Sequence, residues 1–304
     1  MRSPSSAPAV SGGALASLAP VAALLGSMVS LGVGTSFAKP LFATLGAEGT
    51  TALRVGLSAL MLLALWRPWR LRLTRADRGA LLLYGAVLGA MNLLFYLSLR
   101  TIPLGLAIAI EFSGPLALAL ATSRRAGDFL WIGCAVLGLS LLLPVSGLST
   151  GLDPTGVACA LGAALCWALY IIFGQRVGHL PGGPAVALGM SVAALVVMPF
   201  GLAAAGTVLL DPGILAVGLG VAALSSALPY TLEMVALKRL TKQSFGVLLS
   251  LEPAIGSLAG LVILGERLAP TEWLAIACIV VASVGNTVST HRRRNALAAP
   301  PPMV

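Results

Sequence analysis

The chain alternates between long apolar stretches and short polar connections. A helix needs about 20 apolar residues to cross the hydrocarbon core of a bilayer, and ten stretches approach that length. They are too long for buried strands and lack the period-two alternation of a β-barrel. The pattern predicts an all-α membrane protein with ten transmembrane helices, at about 15–38, 50–66, 79–99, 103–122, 129–145, 156–173, 185–204, 214–237, 244–264 and 271–290.

The composition excludes the main soluble classes. Hydrophobic residues make up 58% of the 304 residues and charged residues only 10%, with a mean hydropathy of +0.98. Soluble proteins carry about 25% charged residues, so this chain cannot form a charged shell around a soluble fold. A soluble enzyme, a coiled coil, a disordered chain and a secreted disulfide scaffold are therefore excluded.

The distribution of positive charge predicts the orientation of the chain in the membrane. The net charge is +9, but the basic residues form short clusters between apolar runs, which argues against a nucleic-acid partner. With the N-terminus inside, 15 Lys and Arg residues fall in cytoplasmic segments, and only Lys39, Arg100 and Arg267 fall on the opposite side. Cytoplasmic segments are enriched in Lys and Arg, so both termini are predicted to be cytoplasmic.

Two segments resemble each other and indicate an internal repeat. Residues 105–111 (GLAIAIE) align with residues 246–252 (GVLLSLE) at an offset of 141. We predict two five-helix repeats, residues 15–146 and 154–290, with disordered cytoplasmic tails at 1–14 and 291–304. Because five is odd, the second repeat enters the membrane from the opposite side, which is the inverted architecture of many secondary transporters.

Three charged residues inside the apolar segments are candidates for a functional site. A charged side chain in the hydrocarbon core of a membrane is costly in free energy, so a charged residue there indicates a structural or functional role. Glu111 lies about eight residues into its segment, roughly 12 Å deep at 1.5 Å per residue, and could exchange protons or bind a substrate ammonium; it could also be structural. Glu252, followed by Pro253, occupies the mirrored position and could serve packing or gating. Arg54 could bind a carboxylate or extend its side chain to the membrane surface.

Four further polar residues are candidates for a cavity lining. Asn92 and Tyr96 lie on one helix face at i, i+4, and Tyr230 precedes Glu233 by three residues. Hydroxyl and amide groups of this kind suit a small polar solute. The alternatives are helix packing for the aromatic residues and an interfacial ion pair with Lys238 or Arg239 for Glu233.

Enzymatic chemistry has no support in the sequence. The chain lacks a P-loop, a zinc-binding HExxH motif and the G-x-S-x-G nucleophile motif. The four cysteines lie in apolar runs without a histidine that would complete a metal site. We therefore expect a protein that is not an enzyme and that has no cofactor.

Several motifs carry a resemblance to a known family. The chain resembles the EamA-type drug/metabolite transporter superfamily in residues 166–170 (CWALY), 251–253 (LEP) and 264–268 (LGERL). It is similar to the threonine/homoserine exporter branch over about residues 18–290, through the segments 52–54 (ALR), 66–72 (WRPWRLR), 91–98 (MNLLFYLS), 111–117 (EFSGPLA) and 228–234 (LPYTLEM).

The resemblance implies a secondary exporter in the bacterial inner membrane. Its expected substrates are L-threonine, L-homoserine and related small amino acids, and its expected partners are these solutes, protons and the lipid bilayer. The residues alone indicate only a transporter of a small polar solute. The alternatives are an exporter of another metabolite or drug, and a membrane enzyme or structural subunit. The sequence leaves the oligomeric state undetermined.

Overall fold

A computed structural model describes residues 11–121, 128–142, 152–240, 245 and 248–298, and these residues contain helices but no strand. The helices are α1 (Ser11–Ala38), α2 (Phe42–Trp66), α3 (Arg75–Ser98), α4 (Leu104–Ala121), α5 (Asp128–Leu142), α6 (Pro154–Arg176), α7 (Gly182–Ala205), α8 (Pro212–Ala222), α9 (Leu228–Arg239), α10 (Glu252–Ala259) and α11 (Pro270–Ala298). A π-helical turn, Ala223–Ala227, joins α8 to α9.

Five helical stretches in the described part are long and apolar enough to cross a membrane: Ala19–Trp66, Arg75–Ser98, Pro154–Arg176, Gly182–Leu210 and Pro212–Glu233. Shorter apolar helices cover Leu104–Leu118, Glu252–Leu264 and Pro270–Gly285. Large apolar side chains such as Leu60, Leu195 and Val262 point outward, with 63–78% of their surface exposed. An all-helical chain with this apolar exterior is suited to a lipid environment, and the predicted all-α membrane class is confirmed.

Helix α2 begins earlier than the sequence pattern predicts. It starts at Phe42 rather than near residue 50, and it contains a kink at Gly46 with φ of +69°. A left-handed conformation costs glycine little because it has no Cβ atom. The early start places Arg54 twelve residues into the helix, well away from the helix end at which we expected it.

The segment predicted as one helix over 244–264 is interrupted. Ser250 and Leu251 form a turn, and α10 starts at Glu252. Pro253 has no N–H to donate to the carbonyl of Leu249, and proline is favoured in the first turn of a helix, where that N–H needs no partner, so the new helix starts at this point. A π-helical turn over Gly260–Leu264 then ends the segment at Gly265, where φ is +67°.

The terminal helices extend beyond the predicted repeats. Helix α1 begins at Ser11 and α11 continues to Ala298, so residues 11–14 and 291–298 of the predicted tails are helical in the structure. Arginine, alanine and leucine in residues 291–298 favour helix, and they extend α11 past its apolar part. Residues 1–10 and 299–304 lie outside the described residues.

Helices from the two predicted repeats pack against each other. The main contacts join α2 to α7 and α8, α3 to α6 and α7, α4 to α6 and α10, α5 to α11, and α1 to α9 and α10. The backbones of α1 and the π-helical turn are close enough that a Cβ atom on Gly34 would lie 2.5 Å from the Ser225 nitrogen. This interleaving leaves the polar residues of several helices facing one central space.

Polar contacts join several helix ends at one end of the molecule. Lys39 donates to Glu266 at 2.5 Å, and Glu266 also accepts from the Leu104 amide at 2.8 Å. Nearby, α6 is capped by Asp153, whose carboxylate accepts from the Gly156 amide at 3.0 Å. This bond lowers the pKa of Asp153. Glu266 thereby connects the end of α1, the start of α4 and the connection that follows the π-helical turn at Gly260–Leu264.

Candidate functional site

A central cavity of about 140 Å³ lies between the helices. A single water needs roughly 10–15 Å³, so the cavity has room for a small solute. Its wall combines apolar side chains with hydroxyl, amide and charged groups. All seven residues predicted as site candidates line it: Arg54, Asn92, Tyr96, Glu111, Tyr230, Glu233 and Glu252.

Arg54 is the positive charge of the cavity wall. Only 4% of its surface is exposed, so the interpretation that it extends to the membrane surface is wrong. Its Nη1 donates to the Ser225 carbonyl at 3.2 Å and to the Ser226 hydroxyl at 3.0 Å, and its Nη2 donates to the Asn92 side-chain oxygen. Arg54 therefore connects α2 to α3 and to the π-helical turn.

Asn92 and Tyr96 hold the guanidinium of Arg54 in place. The Asn92 amide nitrogen donates to the Leu88 carbonyl at 2.8 Å, which turns its oxygen toward Arg54. Tyr96 is fully buried, and its ring centre lies 4.6 Å from the Arg54 Cζ atom. A guanidinium at this distance from an aromatic face is attracted to it. The predicted i, i+4 face of α3 thus contacts a single cation.

Glu111 lies in an unbroken helix. Helix α4 runs continuously over Leu104–Ala121 with Pro115 inside it. Pro115 lacks the N–H that would bind the Glu111 carbonyl oxygen. The side chain of Glu111 is 7% exposed and faces the cavity.

Glu252 lies at the start of a helix, unlike Glu111. It is the first residue of α10, directly after the turn at 250–251. The side chain is 9% exposed, and its Oε2 atom has no hydrogen-bond partner among the described residues. The N-terminal end of a helix carries partial positive charge that favours a carboxylate. The two mirrored glutamates therefore differ: one lies within a helix and the other begins one.

Tyr230 and Glu233 belong to the cavity wall as well. Glu233 is half-buried and faces the cavity, whereas Arg239 is exposed and the Lys238 side chain lies outside the described residues. The cavity position favours the site interpretation of Glu233 over an ion pair at the membrane surface. Close to this wall, the Tyr84 and Tyr170 hydroxyls lie 2.9 Å apart and their rings stack at 4.8 Å.

Several lining residues were missed by the sequence analysis. Ser225 lines the cavity and Ser226 binds Arg54, and both lie in the π-helical turn. Two adjacent serines within an apolar segment were the available signal. Trp167 and Tyr170, which belong to the 166–170 motif, line the cavity as well. Among the described residues, no group of three His, Cys, Asp or Glu side chains could hold a metal ion.

Comparisons with known proteins place the chain in a family. Residues 154–288 match the EamA-like transporter family. The threonine/homoserine exporter RhtA of Escherichia coli (strain K12) is 50% identical over 273 residues, covering 90% of this chain and 92% of the relative. RhtA of Salmonella typhimurium (strain LT2) has the same identity and coverage.

A more distant relative and a solved structure are also similar to this chain. The uncharacterized inner membrane transporter YedA of Escherichia coli (strain K12) is 28% identical over 63% of this chain and 64% of its own length. A crystal structure with 20% sequence identity covers 92% of this chain and 98% of its own, with a TM-score of 0.54. The 50% identity to RhtA over 90% of the chain shows that the chain belongs to the EamA-like transporter family, in the threonine/homoserine exporter branch.

Proposed function

We propose that this protein exports L-threonine, L-homoserine and related small amino acids across the bacterial inner membrane as a secondary carrier. The observation that carries the proposal is 50% identity to RhtA exporters over 90% of the chain. A small central cavity with one buried arginine and three glutamates supports it, because an amino acid carries both signs of charge. The relatives are named as transporters, so a non-enzymatic role is proposed as well.

The proposed architecture is ten membrane-spanning segments in two inverted repeats, 15–146 and 154–290, with both termini in the cytoplasm. The helix pairings support it. In the two repeats, α1 corresponds to α6, α2 to α7, α3 to α8 and α9 together, α4 to α10, and α5 to α11. Exchanging each helix for its counterpart leaves the contacts of α2 with α7, α4 with α10, and α5 with α11 unchanged. The same exchange converts the contact of α3 with α6 into that of α1 with α9. It also converts α4 with α6 into α1 with α10. Such a two-fold relation is expected of a repeat.

Contacts among the connections support the same topology. With cytoplasmic termini, the connections near residues 39–48, 100–103, 152 and 265–269 all belong to the outer side. Lys39 contacts Glu266, and Arg100 contacts Glu48 at 3.2 Å. Thr101, Leu152 and Arg267 line one shared surface depression. Predicted outer connections therefore meet at the same end of the molecule.

Transport would follow from rocking of the two halves around the cavity. The cavity lies between helices of both repeats, so a relative rotation would change the side from which it is open. The contact between Lys39 and Glu266 joins the end of α1 to the connection after α10. In the proposed orientation it closes the outer side, and it must break before substrate is released outward.

The direct test of the function is exchange in proteoliposomes. Purified protein is reconstituted in vesicles loaded with unlabelled L-threonine, and uptake of labelled L-threonine is followed. We expect counterflow that unlabelled L-homoserine inhibits. An absence of threonine counterflow, together with exchange of another metabolite, would establish the alternative of an EamA-type exporter with a different substrate.

Proton coupling is proposed to run through Glu111. This carboxyl group faces the cavity near the middle of α4 and is almost fully buried. The sequence contains no ATP-binding P-loop, so a transmembrane ion gradient is the expected energy source. A carboxyl group that binds a proton on one side and releases it on the other would couple the gradient to export.

Glu111→Gln is expected to lose efflux driven by a pH gradient while keeping exchange at equal pH. Glutamine preserves the size of the side chain and resembles the protonated acid, but it cannot bind and release a proton. Labelled threonine flux is measured with and without an imposed gradient. Glu48→Gln, at the exposed contact with Arg100, is the matched control. Gradient-driven efflux at the wild-type rate in Glu111→Gln would disprove this coupling.

A further inference from the structure

We infer that the cavity recognises both charged groups of an α-amino acid, with Arg54 binding the carboxylate and Glu252 binding the ammonium. The inference rests on the proposed function and assigns the two poles of its substrate. Both side chains are more than nine-tenths buried, and both line the same cavity.

Arg54 retains the donors that a carboxylate needs. A guanidinium has five N–H groups, and three are used by the contacts to Ser225, Ser226 and Asn92. Of the two that remain, one is on Nε, which has no partner among the described residues, and one is on Nη2. Two N–H groups on neighbouring nitrogens can donate to both oxygens of one carboxylate. The three existing contacts fix the orientation of the guanidinium before the ligand arrives.

Glu252 retains the acceptor that an ammonium needs. Its Oε2 atom is buried and has no hydrogen-bond partner among the described residues. A buried carboxylate oxygen without a donor is costly, and an ammonium with three N–H donors can satisfy it. Helix α10 begins at this residue, and its partial positive charge favours the carboxylate that the ammonium would bind.

The two groups together explain selection for a zwitterion. A ligand with only a carboxylate would leave the Glu252 oxygen buried without a donor, and a ligand with only an ammonium would leave Arg54 with unused donors. Unpaired buried charges are strongly unfavourable. An apolar drug would satisfy neither group. The cavity is therefore built to select α-amino acids over solutes with one charge or none.

The assignment of the ammonium to Glu252 rather than Glu111 follows from the backbone. Glu111 lies in the middle of a continuous helix, where no helix end stabilises a negative charge. Glu252 lies at a helix start and keeps an unpartnered oxygen. The two glutamates thereby divide two tasks: Glu252 binds the substrate, and Glu111 carries the proton.

The test measures how tightly the wild type and two variants bind threonine and two of its analogues. Threoninol lacks the carboxylate of threonine, and 3-hydroxybutyrate lacks its amino group. Ligand-induced shifts in the melting temperature of the purified full-length protein give the affinity for each compound. In the wild type, threonine is expected to bind at least about tenfold more tightly than either analogue, given the strength of charge-assisted hydrogen bonds.

Each variant is expected to lose one contact only. Arg54→Gln should weaken the binding of threonine and 3-hydroxybutyrate by about 10- to 100-fold. The affinity for threoninol should stay unchanged. Glu252→Gln should weaken the binding of threonine and threoninol by a similar factor. The affinity for 3-hydroxybutyrate should stay unchanged. The unchanged analogue in each case shows that the variant is folded. Arg100→Gln and Glu48→Gln, at the exposed ion pair, should retain the wild-type pattern.

Three outcomes would overturn the assignment. An equal loss of affinity for all three compounds, in a variant that keeps its fold, would mean that the residue shapes the cavity and contacts neither the carboxylate nor the ammonium of the substrate. Loss of ammonium recognition in Glu111→Gln instead of Glu252→Gln would move the ammonium to Glu111. A reversed pattern would place the carboxylate at the start of α10. Wild-type protein that binds no threonine at all would instead refute the proposed function.

Discussion

Replacing Arg54 with methionine is expected to abolish threonine exchange and to destabilise the protein. The change removes the buried cation and leaves the Asn92 oxygen and the Ser226 hydroxyl without their donor. Each buried polar group left unpaired costs about 1–3 kcal/mol. Exchange is measured in proteoliposomes, and stability is measured as the melting temperature in detergent.

The double variant Arg54→Met/Asn92→Leu separates stability from function. It replaces both members of the contact with apolar side chains, and such replacements of a whole buried polar contact are often tolerated or stabilising. We expect the melting temperature to recover in part, because the Leu88 carbonyl that Asn92 also binds belongs to its own helix. Exchange should stay absent. Recovery of exchange in the double variant would mean that Arg54 is structural and does not bind substrate.

Gly114→Leu is expected to prevent folding into a monodisperse protein. A Cβ atom at this position would overlap the Ala164 carbonyl group of α6, so α4 and α6 would have to separate. Overpacking a core typically lowers the stability by about 1–3 kcal/mol. Here the neighbouring atoms belong to the backbone, which cannot change rotamer to make room. The yield of monodisperse protein after size-exclusion chromatography is the measurement.

Gly133→Leu provides the matched control for Gly114→Leu. Gly133 lies on α5, where a Cβ atom would meet nothing within 4 Å. Leucine favours helix over glycine by up to about 1 kcal/mol, so the control should fold with wild-type yield or better. Equal yields for the two variants would contradict the close packing of α4 against α6.

Much of the helical architecture was predictable from the sequence because the membrane imposes a simple rule. Backbone polar groups in hydrocarbon must be bonded within the segment, so long apolar stretches predict helices. The structure has helix in each of the ten predicted segments. The boundaries were less predictable. Gly46 permits an early kinked start of α2, and Pro253 interrupts a segment whose hydropathy is continuous.

The candidate site was also partly visible in the sequence. Glu111, Glu252 and Arg54 stood out because charged groups are rare in apolar segments, and all three line the cavity. Ser225 and Ser226 did not stand out, because serines in membrane helices commonly bind their own backbone. Their role depends on a π-helical turn that directs the Ser225 carbonyl and the Ser226 hydroxyl to Arg54.

The sequence by itself determined that this protein is a helical membrane protein, how its charges are distributed and which polar residues need a partner. Those properties follow from local hydropathy and from the cost of charge in hydrocarbon. Only the tertiary structure decided which partners they have. Arg54 meets Ser225 and Ser226 across 171 and 172 residues of chain, and it meets Asn92 through the packing of α2 beside α3. Contacts between residues so far apart depend on how the helices pack together, and local hydropathy carries no information about that packing.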